Sequence, residues 1–158
     1  MNKIQAVKTA KIEEVKKNSK KGFTLVELVV VIAILAILAA IAIPVVSSTI
    51  ASSQRSTALS DAQTLELALK EAHAQIVAKD TSVYTDGATV ADVISEKSLQ
   101  SIHVGDTRTI GGDTYTLSWC AADDKCYWMN GTTNLDSSIT PGGTTAAIAT
   151  GDVVSTLF

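Results

Sequence analysis

Lys20-Lys21-Gly22-Phe23-Thr24-Leu25-Val26-Glu27 runs straight into LVVVIAILAILAAIAIPVV over residues 28–46. From Leu28 to Val46, nineteen consecutive residues carry neither a charge nor a polar side chain. As a helix rising ~1.5 Å per residue, such a run covers about 28 Å, against a bilayer hydrocarbon core of ~30 Å. It therefore spans a membrane or is buried by something equally apolar. Pro44 lies near its end. Within a helix a proline deletes one backbone hydrogen bond and crowds the preceding turn, so a kink or local loosening is expected there.

Charge is distributed unevenly on the two sides of this run. Residues 1–22 hold seven lysines against Glu13 and Glu14, a balance of +5, whereas residues 23–158 hold six basic and fourteen acidic side chains, a balance of −8. Lys and Arg stay on the cytoplasmic side of a membrane, so a basic head, an apolar run and an acidic body read as topology. The N-terminus is expected in the cytoplasm and the body outside it. An acidic body also argues against broad nucleic-acid binding, which needs cations to neutralise phosphates.

Helical character continues beyond the apolar run. Ala58, Ala62, Leu65, Leu69, Ala72 and Ile76 recur at spacings of three and four, one stripe of an amphipathic helix over 47–79. Glu66 and Lys70 lie off that stripe as a favourable i,i+4 pair. Small residues dominate its first part, so whatever packs there approaches closely. Residues 80–90 read as loop, and Val90–Leu99 as a short helix or an irregular connection. Thr107–Ile110, Gly111-Gly112 and Asp113–Trp119 read as strand, tight turn and strand, with Tyr115, Leu117 and Trp119 on one face. Cys126–Met129 is a third strand, and the segment after Asn130 is turn-rich. A hairpin alone is marginal in water, so the sheet needs the amphipathic helix as its cover. The fold class is α+β: a long N-terminal helix, membrane-spanning over 23–46 and amphipathic over 47–79, packed on a small antiparallel sheet within 80–158.

The basic pair, the glycine, Phe-Thr-Leu-x-Glu and the apolar run with Pro44 resemble the type IV pilin family and its type II secretion pseudopilin relatives. The resemblance covers residues 20 to about 50. It implies a leader over 1–22, cut between Gly22 and Phe23 by a prepilin peptidase, with the new N-terminal Phe23 then N-methylated. A glycine suits that position because a residue without Cβ lets catalytic groups approach the backbone. The leader is longer than in many pilins whose mature chain begins with phenylalanine. The resemblance also implies a membrane-held precursor, an inner-membrane assembly machinery, and a helical filament of identical subunits outside the cell. Glu27 would pair with the ammonium of Phe23 on a neighbouring subunit and set the stagger between them. An intrachain pair, or a carboxylate reaching out to water, would satisfy Glu27 equally well. Pro44 would mark a weak point during packing, or be a proline merely tolerated in a membrane helix.

The two cysteines, Cys120 and Cys126, both fall in the body. An even count in an exported domain favours a disulfide, worth about 2–3 kcal/mol for so short a loop. It would resemble the C-terminal disulfide loop of many pilins, though with a short span; two free thiols are the alternative. His73 and His103 belong to no ligand cluster, and no metal or cofactor is expected. No nucleophile elbow, phosphate-cradling loop or paired-histidine motif occurs, so the chain does not read as an enzyme. Asp123-Asp124 reads as a solvated loop, and Asn130-Gly131-Thr132 as a turn that also fits a glycosylation sequon. The function expected is a structural pilus subunit serving adhesion, twitching or DNA uptake, with a secretion pseudopilin as the alternative. A further alternative is a secreted binding module cut after Ala40-Ile41-Ala42, near Ile43.

Overall fold

The computed structural model describes residues 22–80, 82–102 and 104–158. The basic leader expected over 1–22 lies outside them except for Gly22, as does His103. The chain divides into two compact units, one ending at Pro44 and one beginning at Val45.

Helix α1 is assigned over Leu25–Val77, its first part in one unit and its second in the other. In the first unit all of its side chains are exposed, the apolar ones included; Leu38 stands 57% open and Ile43 65%. Pro44 lies inside the helix and does not end it. One turn on, the hydroxyls of Ser48 and Thr49 both donate to the Val45 carbonyl at 2.9 Å, so the polar side chains that follow the apolar run are folded back onto the helix.

In the second unit, burial of α1 contracts to one stripe: Ala58, Ala62, Leu65, Ala68, Leu69, Ala72 and Ile76. All six positions expected from the spacing are in it, joined by Ala68. The stripe meets a five-stranded antiparallel sheet of β1 (Thr107–Ile110), β2 (Asp113–Cys120), β3 (Lys125–Asn130), β4 (Thr133–Asn134) and β5 (Thr145–Ala147). The order is β1-β2-β3-β4, and β5 pairs with the later part of β2. Gly111 (φ 64°) and Gly112 (φ 102°) make the tight turn between β1 and β2, a backbone conformation other residues avoid.

Leu117, Trp119, Cys126 and Trp128 face the helix stripe in one core. Here the small residues of the stripe matter. The Trp128 indole Nε1 donates to the Ala58 carbonyl at 2.7 Å, reaching the helix backbone across a side chain that is one methyl group. Beside it Arg108 of β1 pairs with Asp61 of α1 at 2.6 Å, its guanidinium 6.0 Å above the Trp128 ring. Lys70 and Glu66 form the expected pair at 2.8 Å.

Helix α2 (Val90–Glu96) begins with a capping box of Thr89 and Asp92. Its start is tied to the last segment of the chain: Val90 and Ala91 donate to Asp152 and Thr150, and Val154 donates to Ala88, each at 2.9 Å. Phe158 then stacks on His73 of α1 at 4.1 Å and meets Trp119 edge-on at 4.6 Å. The strands after Asn130 escape the sequence reading because they are two and three residues long, too short for an alternating pattern.

The expected disulfide is not formed; Cys120 and Cys126 are both free thiols. Register is the reason. The four-residue connection between β2 and β3 pairs Cys120 with Lys125 and Trp119 with Cys126. Cross-strand partners share a face and neighbours along a strand do not, so the one-residue offset sends the two thiols to opposite sides of the sheet. Cys126 joins the core under α1, and Cys120 clusters with Tyr127 and Met129 on the other face. Burial first, and then the Glu66 carboxylate, pushes the Cys126 thiol far up, leaving it inert at neutral pH.

At the end of α1, Lys79 donates to Ile76 and Asp80 to Gln75, both at 3.0 Å, with Lys79 at φ 56°. This is a Schellman closure whose left-handed position holds a lysine where glycine is the usual choice. Replacing Lys79 by Gly removes a Cβ clash and should stabilise the folded unit by about 1 kcal/mol. Thermal unfolding of the detergent-solubilised chain, followed by tryptophan fluorescence, should register a higher midpoint.

Candidate functional site at the start of the long helix

Gly22, Phe23 and Thr24 lie outside any helix, and α1 begins at Leu25. Phe23 is 90% exposed. The Gly22–Phe23 peptide bond is thus carried on a short non-helical segment ahead of an apolar rod. A side chain added at Gly22 would meet nothing within 4 Å, and its backbone is not in a glycine-only conformation. Nothing among the described residues requires glycine at this position.

Thr24 and Glu27 make the local structure. The Thr24 backbone amide and hydroxyl donate to Glu27 Oε2 at 2.8 and 2.7 Å, and the Glu27 amide donates back to Thr24 Oγ1 at 3.2 Å. The Thr24 carbonyl accepts from Leu28 at 3.3 Å, which starts the helix. These bonds form a capping box, in which a threonine and a glutamate three residues later satisfy each other's backbone donors. The carboxylate also stands in the first helical turn, where the exposed amides favour a negative charge.

In the described geometry Glu27 bonds to Thr24, three residues before it, a partner outside the readings weighed above. The Phe23 nitrogen is still a peptide amide in the uncleaved chain, so the ammonium of the intersubunit reading is not yet available. Thr24 is the functional residue that sequence reasoning missed. Its signal was legible, since Ser/Thr-x-x-Glu ahead of an apolar run marks a helix start. Pro44 lies within α1, and Cys120 and Cys126 lie in the sheet; the described geometry brings none of them to this site. Among the described residues no three His, Cys, Asp or Glu side chains gather in a metal-holding group.

Residues 17–43 match the family model described as the prokaryotic N-terminal methylation motif. The match begins before the Gly22–Phe23 bond, takes in the Thr24–Glu27 box, and ends one residue short of Pro44. It covers less than a fifth of the chain. No curated protein and no solved structure matched the chain.

Removing the hydroxyl from the box by Thr24→Val should fray the first turn while leaving the charge of Glu27 in place. Hydrogen exchange of the Glu27 and Leu28 amides in detergent should accelerate by roughly fivefold, the equivalent of a lost cap.

Proposed function

We propose that this chain is a precursor of a type IV pilin, cut between Gly22 and Phe23 and polymerised through its apolar helix into an extracellular filament. One observation carries the reading. The methylation motif over residues 17–43 coincides with an exposed, non-helical Gly22–Phe23 junction immediately ahead of a wholly exposed apolar helix.

The parts then take the following roles. The seven lysines before Gly22 hold the junction at the cytoplasmic face. A prepilin peptidase reads Gly22, a glycine that packing among the described residues does not demand, and the companion methyltransferase acts on Phe23. The cut leaves the entire rod on the mature subunit, which waits in the membrane for the inner-membrane assembly machinery. On assembly, rods of neighbouring subunits bury the apolar faces that lipid covered before. Glu27, already oriented by Thr24, offers its other carboxylate oxygen to the Phe23 ammonium of the next subunit. The body from Val45 onward is displayed on the filament surface, where adhesion, twitching or DNA uptake would be served.

The same motif and helix suit a pseudopilin of a secretion machine, and the two readings share every step up to assembly. A general secretory cut near Ile43 is disfavoured by the helix itself, which continues through Ile43 and Pro44 to Val77.

Mass spectrometry of the mature protein should find Phe23 at the N-terminus, one methylene heavier than the unmodified residue. A start near Ile43 would end the proposal, and replacing Gly22 with Leu should leave the precursor uncut. Two variants at Glu27 separate charge from capping. Glu27→Ala removes both, whereas Glu27→Gln still closes a capping box. Both should be cleaved normally and both should give few filaments by electron microscopy. Normal filament numbers with Gln would show that assembly needs the cap and not the charge.

A further inference from the structure

The face of the sheet turned away from α1 has its own small core, and a chain segment is bound across it. Cys120 is wholly buried there with Tyr127 and Met129. Asp123, in the β2–β3 connection, holds the segment through one bond, Oδ2 accepting from the Gly142 amide at 2.5 Å, and is itself steadied by the Tyr127 hydroxyl of β3, which donates to the same oxygen at 2.9 Å. The glycines are there for contact. A Cβ on Gly142 would collide with the Asp123 carboxylate, and one on Gly143 would lie 2.8 Å from the Ala122 Cβ and 3.8 Å from Cys120 Sγ. The Cys120 sulfur therefore sits directly beneath Gly143. The base of the segment is closed separately, by Asn134 Nδ2 donating to the Ile139 carbonyl at 3.0 Å.

We propose that residues 136–144 form a strap, latched by Asp123, whose role is to seal the Cys120 thiol from thiol-reactive solutes outside the cell. An exported protein with an unpaired thiol is open to exchange with small disulfides and with its own copies, at a rate set by access to the sulfur. Cys126 is protected by the core. Cys120 lies on the other face, where the strap is its cover.

The charge around the latch keeps it shut at neutral pH. The Gly142 amide, and next the Tyr127 hydroxyl, hold the Asp123 carboxyl below its ordinary range, with smaller help from Cys120 and Lys125. Burial pushes Tyr127 up to about 12, and its bond to Asp123 adds to this, so it remains a donor. Asp124 flanks the latch, and Asp136 is the one titratable side chain of the strap itself, bonded to Ser138 at the strap's base. Because the folded carboxyl lies below its unfolded value, the latch is fully made above that unfolded value. It is released only as pH falls through the lower, folded one.

The inference takes from the proposed function only the oxidising exterior, and the purified full-length chain in detergent tests the strap whether or not it polymerises. The probe is N-ethylmaleimide at neutral pH. Trypsin cuts after Lys125 and so places the two cysteines on different peptides for mass spectrometry. In Asp123→Ala, labelling of Cys120 should accelerate by about tenfold or more while that of Cys126 stays unchanged, as expected for a local opening. Gly143→Val, which prises the strap from Ala122, should do the same. Parallel acceleration at both cysteines would mean that the variants merely loosen the whole fold, and would overturn the proposal. So would unchanged labelling, or wild-type Cys120 already reacting at the rate of the urea-unfolded chain.

Discussion

The helical backbone of α1, in which only Pro44 has no amide to donate, is the constraint on which the rest of the molecule depends. A helix that satisfies its own amides and carbonyls can stand in lipid, in water or against a sheet, because only its side chains have to answer to the surroundings. The sequence uses that freedom twice. Up to Ile50 the helix leaves large apolar side chains open on all sides, and from Ala58 it buries one narrow stripe. The change is made in side-chain chemistry alone. Ser47 through Arg55 supply a polar stretch between the two regimes, and Pro44 is absorbed without a break.

The stripe was readable because helical periodicity is a local signal, repeated over five turns with no competing pattern. The β1–β2 hairpin was readable for a similar reason: Gly111-Gly112 sits between two alternating runs, and strand and turn chemistry agree. What could not be read was set by contacts far apart in sequence. Ser118 and Cys120 break the alternation of β2 by being buried on its second face, and that burial depends on β5 and on a glycine-rich segment beyond residue 136. A turn-rich composition gave no hint of this cover, because its value lies in how closely Gly142 and Gly143 can approach.

The cysteines illustrate how small a geometric fact can redirect an argument. An even number of cysteines in an exported body is a sound prior for pairing. The outcome turns on parity: Cys120 lies opposite Lys125, so Cys126, one residue further along β3, falls on the other face. Asp123, which composition alone assigned to a solvated loop, has a defined task because that same connection brings it against Gly142 and Tyr127. Glu27 likewise gains a local partner that the spacing alone did not assign, as half of a box with Thr24.

The two non-helical residues ahead of Leu25 have a mechanical meaning. If the chain is severed after Gly22, the liberated amine is attached to a rigid rod by a leash of Phe23 and Thr24. Such a leash spans at most about 7 Å. At full stretch the leash opens the Thr24–Glu27 box; with the box closed the amine swings on Phe23 alone, within about 3.5 Å. If subunits polymerise as proposed, that leash would set the tolerance with which adjacent rods must be aligned.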